Sequence, residues 1–399
     1  MKKMGILFTI FVVFSFFVIA NKQVKVEKKI ETVKKKEQEE MRALFVSYME
    51  LNTYIQDKTE EKSKENIENI IKNTKKKRMN TIILQVRSFD DAIYKSKDFK
   101  VSKSIILQDN THYDVLDYFI KVCQKENMDL YLWVNPFRIT RRKEEIEKDS
   151  FAYSYKDSDV VKKIEDIYYY NPASSIVQKH IIEGIKELIQ NYKCKGILFD
   201  DYFYPDKDID KKEYEEYKKE DEKITQEEYH LKIVSELIEN VYKEIKKINK
   251  KVEFGISPDG NIENNYNKNF ADVKLWAKSD KYIDFLMPQL YYGFTNQARP
   301  FYDTLKEWNA IVKNKKIKLY YALAFYKIGL EDQYAKEGRE EWIKQNDIIK
   351  RQIILSRNAP NYHGFSLFRY DNLFNETYYT ENTLKELENL EGILKMGNK

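Results

Sequence analysis

Residues 195–205 read Lys-Gly-Ile-Leu-Phe-Asp-Asp-Tyr-Phe-Tyr-Pro, and this stretch carries the clearest indication of the fold. The apolar run at residues 196–199 has the length of a buried strand. The run ends in adjacent carboxylates, Asp200 and Asp201, which are followed by aromatic residues and a proline. One interpretation is that these acids only cap the next helix. The other is that they mark a site at the end of a barrel strand, because Asp is rarely half-buried without a partner or a task.

Short β-branched or aromatic runs alternate with longer helical periodicities from Met41 onward. This alternation is typical of repeated βα units with parallel strands. The predicted strands are residues 43–48, 81–86, 130–134, 196–199, 252–256, 285–289, 317–324 and 364–368. The predicted helices are residues 63–77, 113–126, 174–192, 227–248, 272–279, 302–313, 340–359 and 383–395. The sequence therefore predicts an α/β fold, the (β/α)8 or TIM barrel.

The segments after the third and fourth predicted strands, residues 136–172 and 202–226, are much longer than ordinary connections. Both leave the carboxyl ends of the strands, the face on which such barrels build their sites. Connections on the opposite face are short, as at residues 192–195 and 249–251. We therefore expect an open, extended groove on the carboxyl-terminal face, suited to a polymer.

The N-terminus has the pattern of a targeting segment. Lys2 and Lys3 precede an uncharged apolar run at residues 6–20, which is typical of a signal peptide or a short anchor. The run is shorter than the roughly 20 residues that span a bilayer comfortably, which favours export. Residues 21–40 are rich in Lys and Glu and are interpreted as a charged spacer. The barrel domain is then residues 41–399, in a protein that is extracellular or held at the cell envelope.

Composition argues against several classes of partner. The 399 residues carry 70 basic and 65 acidic side chains, a net charge of +5, with no basic patch interleaved with aromatics, so we predict no nucleic-acid binding. Cys123 and Cys194 lack metal-ligand spacing and are expected to be thiols rather than a bridge. The four histidines are too far apart for a zinc pair, and His180 and His230 are interpreted as structural. We predict no metal and no cofactor.

Polar side chains follow the predicted strands at the rim of the barrel. They are Glu50, Arg87, Asn135, Arg138, Asp200, Asp201, Ser257, Asp259, Gln289, Tyr291, Tyr326, Lys327 and Arg369. In a barrel these positions converge on one mouth. Strand parity aims Asp200 inward with Leu198 and Gly196, whereas Asp201 should point sideways into the loop.

Six segments together resemble the glycosyl hydrolase-like family 10 barrels. They are FVSYME at residues 45–50, TIILQVR at 81–87, WVNPFR at 133–138, GILFDDYFYP at 196–205, GISP at 255–258 and MPQLY at 287–291. The resemblance covers residues 41 to 375 with its motifs in the family's order. It implies an exported bacterial glycosidase acting on a cell-envelope polysaccharide, the glycan strands of peptidoglycan. Many relatives carry an aromatic residue where this chain has Asp259, so the chemistry of that loop stays open.

Glycoside hydrolysis usually needs two carboxyl groups, one to protonate the leaving oxygen and one ionised as nucleophile or base. We assign Asp200 the central role and expect Glu50 to be its partner across the mouth, acting as the acid if its site raises its pKa. Asp201 and Asp259 are the reserve candidates. In an alternative interpretation, Glu50 is only a salt-bridge partner of Arg87.

The other rim residues are expected to bind the polysaccharide. Tyr202, Tyr291 and Tyr326 would form stacking walls. The polar residues that would bind sugar hydroxyl or carboxylate groups are Arg87, Asn135, Arg138, Ser257, Gln289 and Lys327.

Two other functions remain open. A chitinase-like enzyme of the glycosyl hydrolase 18 type has a similar strand-four motif, but that motif ends in a Glu acid, and this chain has Tyr202 two positions after Asp200. A non-catalytic wall-binding protein would keep the groove without turnover. The retained acids argue against the second function, because unneeded buried carboxylates are costly.

Overall fold

Eight parallel strands close into a barrel in the computed structural model, which describes residues 40–200 and 203–395. Residues Met41–Lys395 form one unit of it, and the elements below belong to that unit. The strands are β1 Met41–Val46, β2 Thr81–Arg87, β3 Asp129–Val134, β4 Gly196–Phe199, β5 Glu253–Ile256, β6 Phe285–Leu286, β7 Lys318–Leu323 and β8 Tyr362–Leu367. The predicted TIM barrel is confirmed. The predicted signal segment and all but the last residue of the predicted spacer lie outside the described residues.

Helices surround the barrel. They are α1 Tyr48–Tyr54, α2 Glu60–Lys76, α3 Val115–Glu126, α4 Phe151–Ser154, α5 Ser175–Asn191, α6 Lys211–Tyr217, α7 Gln226–Ile248, α8 Ile262–Asn267, α9 Val273–Trp276, α10 Phe301–Ile311, α11 Glu341–Lys344, α12 Ile348–Arg357, α13 Tyr370–Phe374 and α14 Glu381–Lys395. Short 3-10 turns lie at Lys103–Ile105, Phe325–Lys327, Lys336–Gly338 and Glu376–Tyr378. Across the two described ranges, none of the helices is both long and apolar enough to cross a bilayer.

The long loops after β3 and β4 contain structure of their own. The first includes α4 and an antiparallel hairpin of Val161–Ile164 with Ile167–Tyr170. The second includes α6. After β2, a two-residue parallel pairing joins Asp91–Ala92 to Lys100–Val101. These insertions build up the carboxyl-terminal face, as their length predicts.

Several element boundaries differ from the sequence prediction, and two of the differences have a clear local cause. The first strand ends at Val46 instead of residue 48, because Ser47 and Glu50 form a capping box that starts α1. In that box the Ser47 Oγ accepts from the Met49 N–H at 3.2 Å. The helix expected at residues 340–359 is divided into α11 and α12, because Gln345 adopts an extended backbone conformation between them.

The lumen of the barrel is filled by aromatic rings. Phe45 and Trp133 meet edge to face with centroids 5.4 Å apart, and Phe285 contacts both Tyr131 and Tyr320 at 5.5 Å. All of these side chains are buried. A second, larger apolar layer lies between the strands and the surrounding helices. The lumen is therefore a packed floor on which a site at the mouth can rest.

Both cysteines are free thiols, Cys123 buried and Cys194 partly exposed. The sequence prediction of thiols rather than a bridge is confirmed. Burial raises the pKa of each thiol to about 12.

Buried Glu386 on α14 should make the stability of the fold depend on pH. Its side chain is fully buried, and its carboxylate accepts a hydrogen bond from the Ile349 N–H at 2.9 Å. Burial raises the pKa of Glu386 from 4.5 to about 7. Because the folded pKa is the higher one, this group's contribution to stability is complete below about pH 4.5 and is lost as the pH rises through about 7.

We predict that Glu386→Gln removes this loss, which amounts to at most roughly 3 kcal/mol. The free energy of unfolding, measured by denaturant titration, should then fall less between about pH 5 and about pH 8 than it does in the wild type. Glu388→Gln is the matched control, because Glu388 is exposed on the same helix. An identical pH dependence in the wild type and Glu386→Gln would contradict the prediction.

Candidate active site

A cavity of about 390 Å³ opens at the carboxyl ends of the barrel strands. We call it the central cavity. It is lined by Phe45, Ser47, Tyr48, Met49, Gln85, Trp133, Arg138, Asp200, Ser257, Gln289, Tyr291, Tyr326 and Phe368. Aromatic walls with a few convergent polar groups are typical of a small-molecule site. Of the predicted site residues, the structure brings Arg138, Asp200, Ser257, Gln289, Tyr291 and Tyr326 together here.

Asp200 follows β4 and is only 4% exposed. Its Oδ2 accepts hydrogen bonds from Trp133 Nε1 at 3.2 Å and from Asn135 Nδ2. Asn135 in turn accepts from Gln85 Nε2 through its Oδ1 at 2.6 Å. Hydrogen bonds thus run from β2 through the end of β3 to the acid. They fix the orientation of the Asp200 carboxylate and supply the N–H donors that suit an ionised oxygen.

Strand parity explains this convergence. Leu198 on β4 and Trp133 on β3 belong to the lumen cluster, so the residues two positions later, Asp200 and Asn135, face the same side. The same rule carries Ile83 on β2 to Gln85. The expected inward orientation of Asp200 is confirmed. Asn135 is buried beside the acid and orients it, whereas the sequence pattern predicted that it binds the substrate.

Glu50 does not line the central cavity. It lies fully buried in the first turn of α1, where it accepts from the Ser47 N–H at 2.9 Å and the Asp371 N–H at 3.2 Å. It also forms an ion pair with Arg369. Burial raises the pKa of Glu50, although the positive charge of Arg369 opposes the rise. This placement corrects the expectation that Glu50 lies at the open rim, because its carboxylate joins α1 to α13.

Arg87 points away from the mouth. The register between β2 and β3 shifts between Gln85 and Arg87, and such an irregularity redirects the side chain that follows it. The Arg87 guanidinium lies 3.8 Å from the centre of the Phe99 ring, and a Cβ on Gly184 of α5 would collide with it. Arg87 is therefore packed between the barrel and α5. This placement corrects the expectation that Arg87 binds substrate. The alternative pairing of Arg87 with Glu50 is also corrected, because Glu50 forms its ion pair with Arg369.

Asp259 lies beside the central cavity, in the wall of a second cavity of about 390 Å³. We call this the side cavity. The Asp259 carboxylate accepts from the Asn261 N–H at 2.6 Å, from Asn264 Nδ2 at 3.3 Å and from the Tyr292 hydroxyl at 3.3 Å. These bonds fold the loop after β5, so the position of Asp259 is fixed by local turn contacts.

Lys327 also lines the side cavity instead of the central one. Its Nζ donates to the Tyr291 carbonyl at 2.8 Å and to the Asp332 carboxylate at 2.9 Å. Arg138, in contrast, stands in the wall of the central cavity, where its Nε donates to the Ser88 carbonyl at 3.3 Å and its guanidinium lies 4.7 Å from the centre of the Phe89 ring. Asp201 and Tyr202 lie outside the described residues, so their roles stay predictions.

Sequence reasoning missed several cavity residues. Phe45, Ser47, Gln85, Trp133 and Phe368 line the central cavity, and each lies within two residues of the end of a strand. Their signal was strand parity, because each continues an inward-facing run of every second residue. Polar residues that follow the strands were expected to form the site. Phe45, Trp133 and Phe368 are aromatic instead, and Gln85 lies inside its strand.

A buried network anchors the loop that carries Asp200. Asp210 lies 2.9 Å from His230 Nε2 on α7, and it accepts from the Tyr204 hydroxyl at 2.7 Å. His230 and Asp210 are fully buried. Their contact joins the loop after β4 to the following helix. The structural interpretation of His230 is confirmed.

The fold and the cavity define the class, a TIM barrel with a buried acid at the centre of its carboxyl-terminal face. Residues 40–339 match the family Glycosyl hydrolase-like 10, and the chain belongs to this family. The family resemblance drawn from the six sequence segments is confirmed. So is the prediction of a glycosidase, at the level of the family.

Two curated relatives illustrate the likeness. Glycosyl hydrolase YngK of Bacillus subtilis (strain 168) is 29% identical over 319 residues, which are 73% of this chain and 61% of that protein. Glycosyl hydrolase DigH of Escherichia coli (strain K12) is 26% identical over 325 residues, which are 74% of this chain and 73% of that protein. The chain thus spans less than two thirds of the length of YngK.

Solved structures share the barrel. The glycoside hydrolase domain of PgaB (BpsB) from Bordetella bronchiseptica superposes with a TM-score of 0.56 at 11% identity, covering 90% of this chain and 99% of that one. Alpha-L-fucosidase isoenzyme 2 from Paenibacillus thiaminolyticus gives a TM-score of 0.57 at 11% identity, covering 89% and 49%. At such identities the likeness shows the fold alone.

The placement of Glu50 generates a prediction. Glu50→Gln should lower the free energy of unfolding by about 3 kcal/mol, because Arg369 loses its closest buried carboxylate. Hydrolysis of a glycan substrate per folded molecule should stay near the wild-type rate. Thermal unfolding and initial rates measure the two effects, with Glu60→Gln as an exposed control. Loss of hydrolysis at unchanged stability would instead restore Glu50 as the catalytic acid.

Proposed function

We propose that this chain is an exported glycoside hydrolase that cleaves a bacterial cell-envelope polysaccharide, the glycan strands of peptidoglycan. The observation that carries the proposal is Asp200, a buried carboxylate that faces the central cavity and is held by Trp133 and Asn135. Family membership supports the reaction class. The basic residues and apolar run at the N-terminus, known from the sequence only, support export.

On this proposal Asp200 acts in its ionised form. The N–H groups of Trp133 and Asn135 stabilise negative charge on its Oδ2. An ionised carboxylate under the sugar ring can attack the anomeric carbon or activate a water molecule. Fixed donors also keep the acid in place as charge develops, which avoids reorganisation during the reaction.

Aromatic rings supply the sugar-binding walls. Tyr291 and Tyr326 meet nearly at a right angle with centroids 5.8 Å apart, and both contact Phe368. Rings arranged in this way offer apolar faces to a sugar ring and, from Tyr, a hydroxyl group for its polar edge. Gln289 and Ser257 stand in the same wall and can bind hydroxyl groups.

The second carboxyl group is the open element of the mechanism. Among the described residues that line the central cavity, Asp200 is the acidic one. We propose Asp201 as the proton donor, because it follows Asp200 directly in the sequence and strand parity predicts that it faces the loop and not the barrel interior. Asp259 is the weaker candidate, since its oxygens already accept several hydrogen bonds in the side cavity.

The central role of Asp200 is tested by Asp200→Asn. Release of reducing ends from purified, peptide-stripped glycan strands should fall about 10²- to 10⁴-fold or more. The shape of the side chain is kept, so thermal unfolding should change little. Asp208→Asn is the control, because Asp208 is an exposed acid on the same loop. Full activity of Asp200→Asn would remove Asp200 from the mechanism, and an inactive wild type that binds the strands would favour the non-catalytic alternative.

The proton donor can be identified by comparing substrates whose leaving groups differ in their need for protonation. Asp201→Asn should slow hydrolysis of the glycan strand but leave hydrolysis of an aryl glycoside with an acidic phenol nearly unchanged, because such a phenol departs without protonation. Asp259→Asn is the comparison variant and should retain both rates. If Asp259→Asn alone shows the selective loss, Asp259 is the donor and the assignment of Asp201 is wrong.

A further inference from the structure

The side cavity adjoins the central cavity, because Gln289 and Tyr291 line both. We propose that the side cavity is a second sugar subsite, which holds a neutral sugar unit next to the unit over Asp200 and stacks it on Tyr334. The inference rests on the proposed function and deepens it. With this subsite the protein binds at least two consecutive sugar units of a polysaccharide chain in one groove.

The size and position of the side cavity fit this role. Its volume of about 390 Å³ equals that of the central cavity, and it falls in the usual range of small-ligand sites. The wall between the two is built by the loop after β6, which contributes Gln289 and Tyr291 to both sides. A chain that crosses this wall therefore enters a second open cavity of matching size.

The charges of the side cavity favour a neutral ligand. Its lining contains the acids Asp259 and Asp332 and the bases Arg299 and Lys327, whose formal charges cancel. Lys327 pairs with Asp332 at 2.9 Å, and the two side chains are 18% and 2% exposed. Arg299 pairs with Glu307 at 2.5 Å. Because each cation already has a carboxylate, an anionic ligand gains little there, whereas hydroxyl and acetamido groups find donors and acceptors.

Asparagine amides provide these donors and acceptors. Asn261, Asn264 and Asn296 all line the side cavity. A side-chain amide carries both N–H donors and a carbonyl acceptor, so it can bind a hydroxyl group in either sense. Arg299 donates to the Asn261 Oδ1 at 2.9 Å, which holds that amide in one orientation. The polar wall is thus built before a ligand arrives.

Tyr334 is the aromatic platform. Its side chain is 86% exposed, against 51% for Tyr302 and 46% for Tyr378, although it lines the side cavity. An exposed ring beside a polar cavity can cover the apolar face of a sugar. Its backbone N–H donates to Asp332 at 3.4 Å, the carboxylate that also holds Lys327. The loop that carries the ring is therefore anchored, which lowers the entropy cost of binding.

Binding is measured in the Asp200→Asn background, so that turnover does not interfere. The ligands are N-acetylglucosamine and its β-1,4-linked dimer and tetramer, titrated by calorimetry into the full chain. We expect affinity to rise with chain length, and Tyr334→Ala to weaken binding of the tetramer about tenfold while leaving the monomer unchanged. Tyr334→Phe should keep the tetramer affinity because it retains the ring.

Tyr302→Ala is the matched control, since Tyr302 is an exposed tyrosine that lines neither cavity. Equal tetramer affinity with and without the Tyr334 ring would overturn the inference, even if the enzyme hydrolyses glycan strands. Conversely, an inactive wild type whose oligosaccharide binding still depends on Tyr334 would overturn the proposed hydrolysis and leave the subsite standing.

Discussion

The parallel pairing of β1 with β8 closes the barrel, and the position of every residue at its mouth depends on that closure. Met41 pairs with Gly364, and Leu44 pairs with Leu367. Gly364 has a φ of 150°, and a side chain there would collide with the Met41 backbone, so glycine permits the approach of the two strands. Closure links the tilt and stagger of all the strands. The place of Asp200 therefore follows from the whole sheet and not from its local motif alone.

Trp133 connects the apolar floor of the barrel to the polar chemistry above it. One side of the ring packs edge to face on Phe45 in the lumen, while its Nε1 donates to Asp200. The neighbouring bonds from Gln85 to Asn135 and from Asn135 to Asp200 leave these buried polar groups satisfied. In a region of low dielectric such a network is costly to break, so it holds one arrangement. The packed lumen thus positions the acid as well as stabilising the barrel.

The sequence predicted the barrel and the orientation of Asp200 because both depend on a period of two that persists to the strand ends. It failed where that period stops. Arg87 follows an irregularity in β2 that only the pairing with β3 reveals. Glu50 was a different kind of error, because Ser-Tyr-Met-Glu at residues 47–50 is itself a capping-box pattern that predicts a helix start. The side cavity could not be predicted, since it joins loops from three different strands.

Buried polar and charged side chains around the mouth are paired between elements distant in sequence. Glu50 meets Arg369 and joins the loops after β1 and β8, while Asp210 meets His230 and anchors the loop after β4. Removing such groups from water costs free energy that the pairing only partly offsets, so these contacts add little to stability compared with the apolar layers. Their effect is instead geometric. Loops held in this way keep the walls of a groove in place before the substrate binds, which is the condition for effective catalysis by a fixed carboxylate.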